Sequence, residues 1–248
     1  MITKAAHLIT TSKRISVFTG AGISVESGIP PFRGEGGLWS QYNPIILDLD
    51  YYLNHTDQSW PIIKKLFFDF FGQAKPNQAH QILASWENQE IIHEVITQNI
   101  DNLHQDAGSK IVHEFHGTAS SFICTKCGNI YNRSTIELNN EPPHCKSINC
   151  RGLLKPNFIF FGEGIPAKAY EASMIASKKS DLFIVIGTTG EIMPASQIPI
   201  LAKNNGAKII EINTSPSSYT NSITDIFLQD KASIALNQLN EQLSRTFC

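Results

Sequence analysis

Four short apolar runs constrain the fold of this chain most strongly, because each ends in a small or polar residue where a loop would begin. The runs are Ile15 to Thr19, Val95 to Thr97, Leu182 to Ile186 and Ile209 to Ile212. Continuous apolar runs of this length are typical of parallel strands that are buried on both faces. Helix-like stretches lie between the runs, at Gln78 to Trp86, Ala167 to Ser177 and Ala195 to Lys203. This alternation predicts an α/β fold with a doubly wound parallel sheet, whose ligands bind at the carboxyl ends of the strands.

Composition limits the classes of function. The 248 residues, 42% of them hydrophobic, are enough for one large domain with a small module. A net charge of -2, from 20 Lys plus Arg and 22 Asp plus Glu, argues against binding to nucleic acid, which needs a basic surface. The N-terminal segment lacks an apolar signal region, and no run approaches the roughly 18 apolar residues of a membrane span. We therefore expect a cytoplasmic protein without a membrane or nucleic-acid partner.

Four of the five cysteines form two short pairs. Cys124 and Cys127 are separated by two residues, and after seventeen more residues Cys145 and Cys150 are separated by four. This spacing predicts a structural zinc ion with four thiolate ligands and no open position for catalysis. Two disulfides are the alternative, although they are rare in a reducing compartment. His144 is a neighbour that offers a substitute ligand.

A glycine-rich segment follows the first apolar run. It reads FTGAGIS from Phe18 to Ser24, and its two glycines would let backbone N–H groups approach a pyrophosphate. The full dinucleotide fingerprint has a third glycine or alanine where this chain has Val25. The segment taken alone is therefore also compatible with an ordinary strand-turn-helix connection.

Longer motifs follow in a fixed order. They are GAGISVESGIPPFRGEGGLW from Gly20, TQNIDNLHQDAG from Thr97, HEFHGT from His113, the two cysteine pairs, KPNFIFFGE from Lys155, GTTGEIMPAS from Gly187, and EIN ending at Asn213. In sequence and order these motifs closely resemble the sirtuin family of NAD-dependent protein-lysine deacylases. The resemblance extends from about Ile15 to about Ala232, which is nearly the whole chain.

The resemblance implies an enzyme that uses NAD, carries Zn, and acts on acyl-lysine, first of all acetyl-lysine, in proteins. The acyl group would be transferred to ADP-ribose with release of nicotinamide. It also implies three parts of the chain. Residues 1–40, 76–118 and 154–248 would form an NAD-binding, Rossmann-like large domain, 41–75 a helical insertion, and 119–153 a zinc-binding small module.

The resemblance also implies the residues of the site. His116 would be the catalytic base, because a neutral imidazole near pH 7 can take the proton of a ribose hydroxyl. Asn99 and Asp101 would assist at the pocket for nicotinamide. The cofactor-binding set would be Gly20, Ala21, Gly22, Ser24, Phe32, Arg33, Trp39, Gln98, Asn99, Ile100, Asp101, Gly187, Thr188, Thr189, Asn213, Thr214, Ser215 and Ala232. The substrate would contact Phe158, Phe161, Gly162, Glu163 and Ile192, with the peptide adding as a further strand.

Some alternatives remain open at this level. On side-chain chemistry alone, His80, His104 and His113 are as suitable for the catalytic base as His116. Asp101 is of a residue type that commonly caps helices. Protein mono-ADP-ribosyl transfer would use the same cleavage of NAD. From a different class, a zinc-ribbon interaction module would use the cysteine spacing without the NAD motifs.

The chain departs from the family pattern at four positions. Thr189 replaces the usual Ser, Gly190 the usual Leu, Asn102 the usual Gly, and Asp106 a usual basic residue. The change at Gly190 removes an apolar contact beside the expected peptide cleft.

The segment from Lys65 to Lys75 predicts which acyl groups are accepted. Family members that prefer succinyl or malonyl lysine carry a Tyr there and an Arg three residues later. Here the segment is rich in Phe, and no Arg occurs between Arg33 and Arg133. A buried acyl carboxylate would lack its bidentate partner, so neutral acyl groups are expected.

Overall fold

The structure is a computed structural model that describes residues 1–32 and 36–246. Its strands are β1 (Ile15–Thr19), β2 (Glu94–Thr97), β3 (Val112–Glu114), β4 (Gly117–Cys124), β5 (Ile130–Asn132), β6 (Leu154–Phe158), β7 (Leu182–Ile186), β8 (Lys208–Asn213) and β9 (Ile226–Gln229). Its α-helices are α1 (Ile2–Thr11), α2 (Leu49–Asn54), α3 (Thr56–Ile63), α4 (Gln78–Asn88), α5 (Leu103–Asp106), α6 (Ala167–Lys179), α7 (Gln197–Asn204) and α8 (Ala232–Thr246). A π-helical segment covers Lys64–Phe70, and short 3-10 helices cover Ala21–Ser27, Leu38–Ser40, Pro44–Leu47, Phe71–Gln73 and Arg133–Thr135.

Six parallel strands form the main sheet, in the order β3-β2-β1-β7-β8-β9. Val17 in β1 lies opposite Val95 on one side and Ile184 on the other. The strand order therefore reverses direction beside β1, which is the topological switch point where α/β proteins bind ligands. The predicted α/β fold with a doubly wound parallel sheet is confirmed.

Apolar side chains cover both faces of this sheet. On one face Val17 and Ile184 pack against α1, α4 and α8, and on the other Phe18 and Val185 pack against α6 and α7. Every residue of β1 and β7 is buried, which explains why these strands are continuous apolar runs rather than alternating ones.

A smaller antiparallel sheet, in the order β5-β4-β6, carries the four clustered cysteines. Its third strand is Leu154–Phe158. The domain boundaries expected from the sequence assign these residues to the large domain. Those ranges remain a prediction.

The aromatic segment after residue 40 packs on the small sheet. Trp60 and Phe68 contact the ring of Phe122 in β4, with centroids 6.1 and 5.2 Å away. Trp60 also donates its indole N–H to the Asn139 carbonyl at 2.9 Å. This segment and the small sheet therefore share one apolar core, separate from the two that cover the main sheet.

Some elements could not be assigned from the apolar pattern. Strands β3 and β9 are only three and four residues long, and Ala21–Ser27, which overlaps the glycine-rich segment, is a 3-10 helix rather than an α-helix. Within the described residues, no helix has both the length and the hydropathy that crossing a membrane requires.

Candidate active site

Two glycine turns meet at the carboxyl ends of β1 and β7. The Gly22 amide donates to the Gly187 carbonyl at 2.8 Å, and a Cβ on Gly22 would lie 2.6 Å from the Gly187 Cα. Gly187 itself has a φ of 63°, and its Cβ would lie 2.5 Å from the Ile23 nitrogen. Side chains at these two positions would push the turns apart, so the glycines serve the close approach of two backbones.

Polar side chains from the loop after β2 line the same edge. Gln98 donates its side-chain amide to the Thr188 hydroxyl at 3.0 Å. Asn99, which is buried, donates to the Gly20 carbonyl and to the Ser24 hydroxyl, both at 3.1 Å. The predicted residues from three separate loops are thus brought to one place.

Asp101 serves two partners at once. Its Oδ2 accepts the Ser24 hydroxyl at 2.7 Å, and its Oδ1 accepts the Leu103 amide at 3.0 Å, at the start of α5. The carboxylate therefore accepts the first amide of the short helix, although Asn102 is the N-cap residue, and it also joins the polar group around Asn99. Burial raises the pKa of Asp101, against the lowering effect of these hydrogen bonds.

His116 lies beside this group, between β3 and β4. Its Nδ1 is 3.0 Å from the Gln98 carbonyl oxygen. Because a carbonyl only accepts, Nδ1 carries the proton and donates it, which leaves the lone pair on Nε2. Burial lowers the pKa of His116, so the ring is neutral at pH 7 and can take a proton.

The other histidines have different surroundings. His113 pairs with Glu94 at 3.1 Å. His80 and His104 are fully buried and pack edge to face at 4.9 Å, and His104 contacts the Thr19 hydroxyl at 3.0 Å. Of the four, only His116 is placed against the loop that carries Gln98.

The expected adenosine side lies next to the Gly187 turn. Asn213, at the end of β8, donates to the Thr188 carbonyl at 3.0 Å and accepts the Thr214 amide at 3.0 Å. Thr214 and Ser215 are exposed, and Ala232 begins α8. The neighbouring Ser233 donates to Glu26 of the 3-10 helix, which brings α8 close to the glycine-rich loop.

The expected covering loop is described only in part. The rings of Phe32 and Trp39 lie 5.5 Å apart, and the Trp39 amide donates to the Phe32 carbonyl at 3.1 Å. Arg33 lies outside the described residues.

The expected peptide edge follows β6. Phe161, 49% exposed, donates its amide to the Leu47 carbonyl and accepts the Leu49 amide. Its backbone groups are therefore already used, as is the Glu163 amide, which donates to the Phe160 carbonyl at 3.0 Å. Phe158 is buried in β6, and Ile192 is half-buried in the loop after β7.

Sequence reasoning missed Lys155, which holds this edge in place. Its buried ammonium contacts the Glu163 carboxylate at 2.8 Å and the Phe160 ring at 4.3 Å. Burial lowers the pKa of Lys155. A single Lys in the apolar stretch before Glu163 was the signal that could have indicated it.

The four cysteines are reduced and close together. Their Sγ atoms all lie within 4.8 Å of one another, with Cys124 to Cys150 at 3.6 Å and Cys127 to Cys145 at 3.7 Å. Ligands at 2.3 Å around a tetrahedral zinc ion would be about 3.8 Å apart. The amides of Lys126 and Cys127 also point at the Cys124 sulfur, both at 3.4 Å, which suits a thiolate. The arrangement fits zinc and not two disulfides, and His144 lies outside the cluster.

Together, a switch-point cleft with a glycine-rich turn and a four-cysteine module define a dinucleotide-binding α/β protein with a structural metal centre. Comparison with known proteins specifies the family. Residues 20–194 match the model of the Sir2 family, and the chain belongs to that family.

Relatives support this along nearly the whole chain. NAD-dependent protein deacylase 2 of Pyrobaculum aerophilum is 40% identical over 247 residues, covering 97% of this chain and 95% of the relative. The NAD-dependent protein deacetylase of Oceanobacillus iheyensis is 41% identical over 212 residues, covering 82% and 84%. A solved complex of Sir2 with a p53 peptide and NAD+ has a TM-score of 0.89 at 32% identity, covering 99% of both chains.

Proposed function

We propose that this chain is an NAD-dependent protein deacylase that removes acetyl groups from lysine side chains. The observation that carries the proposal is the neutral His116 ring, which lies against the Gln98 carbonyl beside the buried group of Asn99, Ser24 and Asp101. Its relatives are named as NAD-dependent deacylases and deacetylases, and the solved p53 peptide complex supports a peptide substrate.

The residues fit the demands of NAD as co-substrate. NAD supplies a ribose whose bond to nicotinamide breaks and whose anomeric carbon is then attacked by the acyl oxygen of the lysine. Asn99 and Asp101 carry amide and carboxyl groups beside the carboxyl ends of β1 and β2, where nicotinamide would be held. The Gly22 and Gly187 turns set backbone groups at the carboxyl ends of β1 and β7, where phosphates would bind, and Asn213 would contact the adenosine ribose.

His116 supplies the proton chemistry. With the lone pair on Nε2, it would take the proton from a ribose hydroxyl, and that oxygen could then attack the acyl carbon. The lysine would leave as an amine and water would add to the same carbon, so that the acyl group would end as an ester on a hydroxyl of ADP-ribose. The four-cysteine module has no open ligand position, so its metal would stabilise the small sheet and take no part in this step.

The test asks whether nicotinamide is released only when NAD and an acetyl-lysine peptide are both present. His116→Ala should lower deacetylation by roughly 10²-fold or more, the usual size of general-base catalysis, and leave folding intact. His7→Ala, at an exposed position of α1, is the matched control. Turnover near that of wild type in a folded His116→Ala protein would remove His116 as the base. ADP-ribose attached to the peptide, with the acetyl group retained, would indicate ADP-ribosyl transfer instead.

A further inference from the structure

Asn102 occupies an unusual backbone position between Asp101 and α5. It has a φ of 63° and a ψ of 9°, in the left-handed region. Glycine adopts this region most readily, and asparagine is among the few other residues that tolerate it. This explains why the position is usually glycine in the sirtuin pattern. An asparagine keeps the backbone conformation and adds a side chain that glycine lacks.

That side chain bridges the segment that carries His116. Its Nδ2 donates to the Glu114 Oε1 at 3.1 Å, and its Oδ1 accepts the Thr118 hydroxyl at 3.1 Å. Glu114 lies two residues before His116, and Thr118 two residues after it. One amide thus joins both ends of a five-residue segment.

The charges around Glu114 make this bridge more important. Its carboxylate accepts the amides of Asn102 and Gln105 on the same oxygen, the latter at 2.9 Å. Burial raises the pKa of Glu114, and the nearby Asp101 carboxylate raises it further. A hydrogen bond from the Thr118 side chain also reaches Glu114, so the groups that hold this carboxylate are neutral.

We propose that Asn102 is a positioning residue for His116. By joining Glu114 to Thr118, it fixes the segment from which the His116 ring reaches the Gln98 carbonyl. The inference rests on the proposed role of His116 as the base. Loss of the bridge lets the ring move relative to the ribose while the glycine turns and the Asn99 group stay in place.

The experiment compares Asn102→Gly with Glu90→Gly. Both replace a residue of positive φ, 63° and 60°, and Glu90 follows α4 at the opposite end of the main sheet. Two reactions are followed in each variant: deacetylation of a peptide, and exchange of labelled nicotinamide into NAD in the presence of that peptide. Exchange requires cleavage of NAD but not the later proton transfer to His116.

In Asn102→Gly, kcat for deacetylation should fall roughly ten-fold, as expected for a misplaced catalytic group, while KM for NAD and the exchange rate stay within about two-fold. Glu90→Gly should change neither reaction. Asn102→Asp keeps an acceptor for Thr118 but sets a carboxylate against Glu114, so its kcat should be lower still.

A further readout does not depend on turnover. The pKa of His116, followed by NMR titration, should rise in Asn102→Gly, because a freer segment lets water reach the buried ring. Unchanged kcat and unchanged His116 pKa in Asn102→Gly would overturn the inference. An equal fall in exchange and deacetylation would also overturn it, since Asn102 would then act through Asp101. If wild type showed no deacetylation, the proposed function would fail, and the His116 titration would still decide the role of Asn102.

Discussion

At the scale of single residues, the polar groups of the cleft are held by one another before any ligand is bound. Asn99 contacts Ser24, and Ser24 contacts Asp101, although Ser24 and Asp101 are 77 residues apart in the chain. Such prior ordering favours catalysis, because the groups need little reorganisation when charge develops. The motifs contain all of these residues, but the pairings depend on the fold and are not visible in the sequence.

Gly190 illustrates how a departure from the family pattern acquires a physical reason. It has a φ of 72°, and a Cβ there would collide with the Ser218 hydroxyl and lie 2.7 Å from the Tyr219 ring. The Tyr219 ring is fully buried and cannot move aside. The family's usual Leu would therefore not fit this backbone. The chain differs from the family pattern here in its local backbone and packing as well as in the loss of an apolar side chain.

Gly190→Ala should lower the free energy of unfolding by roughly 3 kcal/mol, from backbone strain together with overpacking. Gly206→Ala is the control, because Gly206 has a φ of 98° but nothing within 4 Å of its added Cβ. Gly206→Ala should lower the free energy of unfolding by only about 1 kcal/mol, from backbone strain alone. Chemical denaturation measures both, and equal losses would show that the Tyr219 contact is unimportant.

At the scale of elements, the small sheet depends on its cysteines. Two of its strands have three and five residues, which is little for independent stability. Metal analysis should find about one zinc per chain, and Cys145→Ser should lose the metal and lower stability and activity together. Cys248→Ser, outside the four-cysteine spacing, should retain the metal. A zinc-free protein of full stability and activity would contradict a structural metal.

The aromatic insertion carries the expected acyl preference. Phe67 is buried and contacts the rings of Phe32 and Phe158, with centroids 6.4 and 5.0 Å away. Asp69 is exposed and paired with Lys64, so it does not line this aromatic group. Arg133 lies over the neighbouring Phe68 ring, 5.4 Å from its centroid, so an acyl carboxylate placed at Phe67 would first meet aromatic rings.

We therefore expect kcat/KM to be highest for acetyl-lysine and to fall on the order of a thousandfold for succinyl-lysine in the same peptide. Phe67→Ala should change the ratio of myristoyl to acetyl activity, because removing the ring creates space among the neighbouring aromatic side chains. Phe70→Ala, at a half-exposed ring, should leave that ratio unchanged. Succinyl-lysine as the best substrate would show that the missing arginine does not decide the preference.

The elements also show how far the sequence alone could reach. Strands β1 and β7 were predicted to the residue, because both faces are buried and the apolar run is continuous. Strand β3 was not, because all three of its residues are only partly buried and the pattern is lost. The four-cysteine cluster could be predicted from the sequence, because the spacing of the cysteines alone indicates it. The Asn102 bridge and the Lys155 contact join residues whose proximity arises from folding.

At the scale of the whole molecule, a buried histidine pair links α4 to the cleft. His80 in α4 packs on His104 in α5, which contacts Thr19 at the end of β1. Burial lowers the pKa of His80 to about 4 and that of His104 well below its ordinary value. Within the described residues, neither ring nitrogen of His80 has a hydrogen-bond partner. Both rings are therefore neutral in the folded protein at pH 7.

This pair makes stability depend on pH in a defined direction. Between about pH 6.5, the ordinary histidine value, and about pH 4, the unfolded chain binds a proton at residue 80 and the folded chain does not. The free energy of unfolding therefore falls as the pH falls through this window. His80→Phe keeps a buried ring and removes the proton uptake, so the slope should decrease by up to about 1.4 kcal/mol per pH unit. His7→Gln, at an exposed histidine, should leave the slope unchanged. Denaturation at several pH values measures it, and equal slopes in His80→Phe and wild type would show that His80 is not held neutral by the fold.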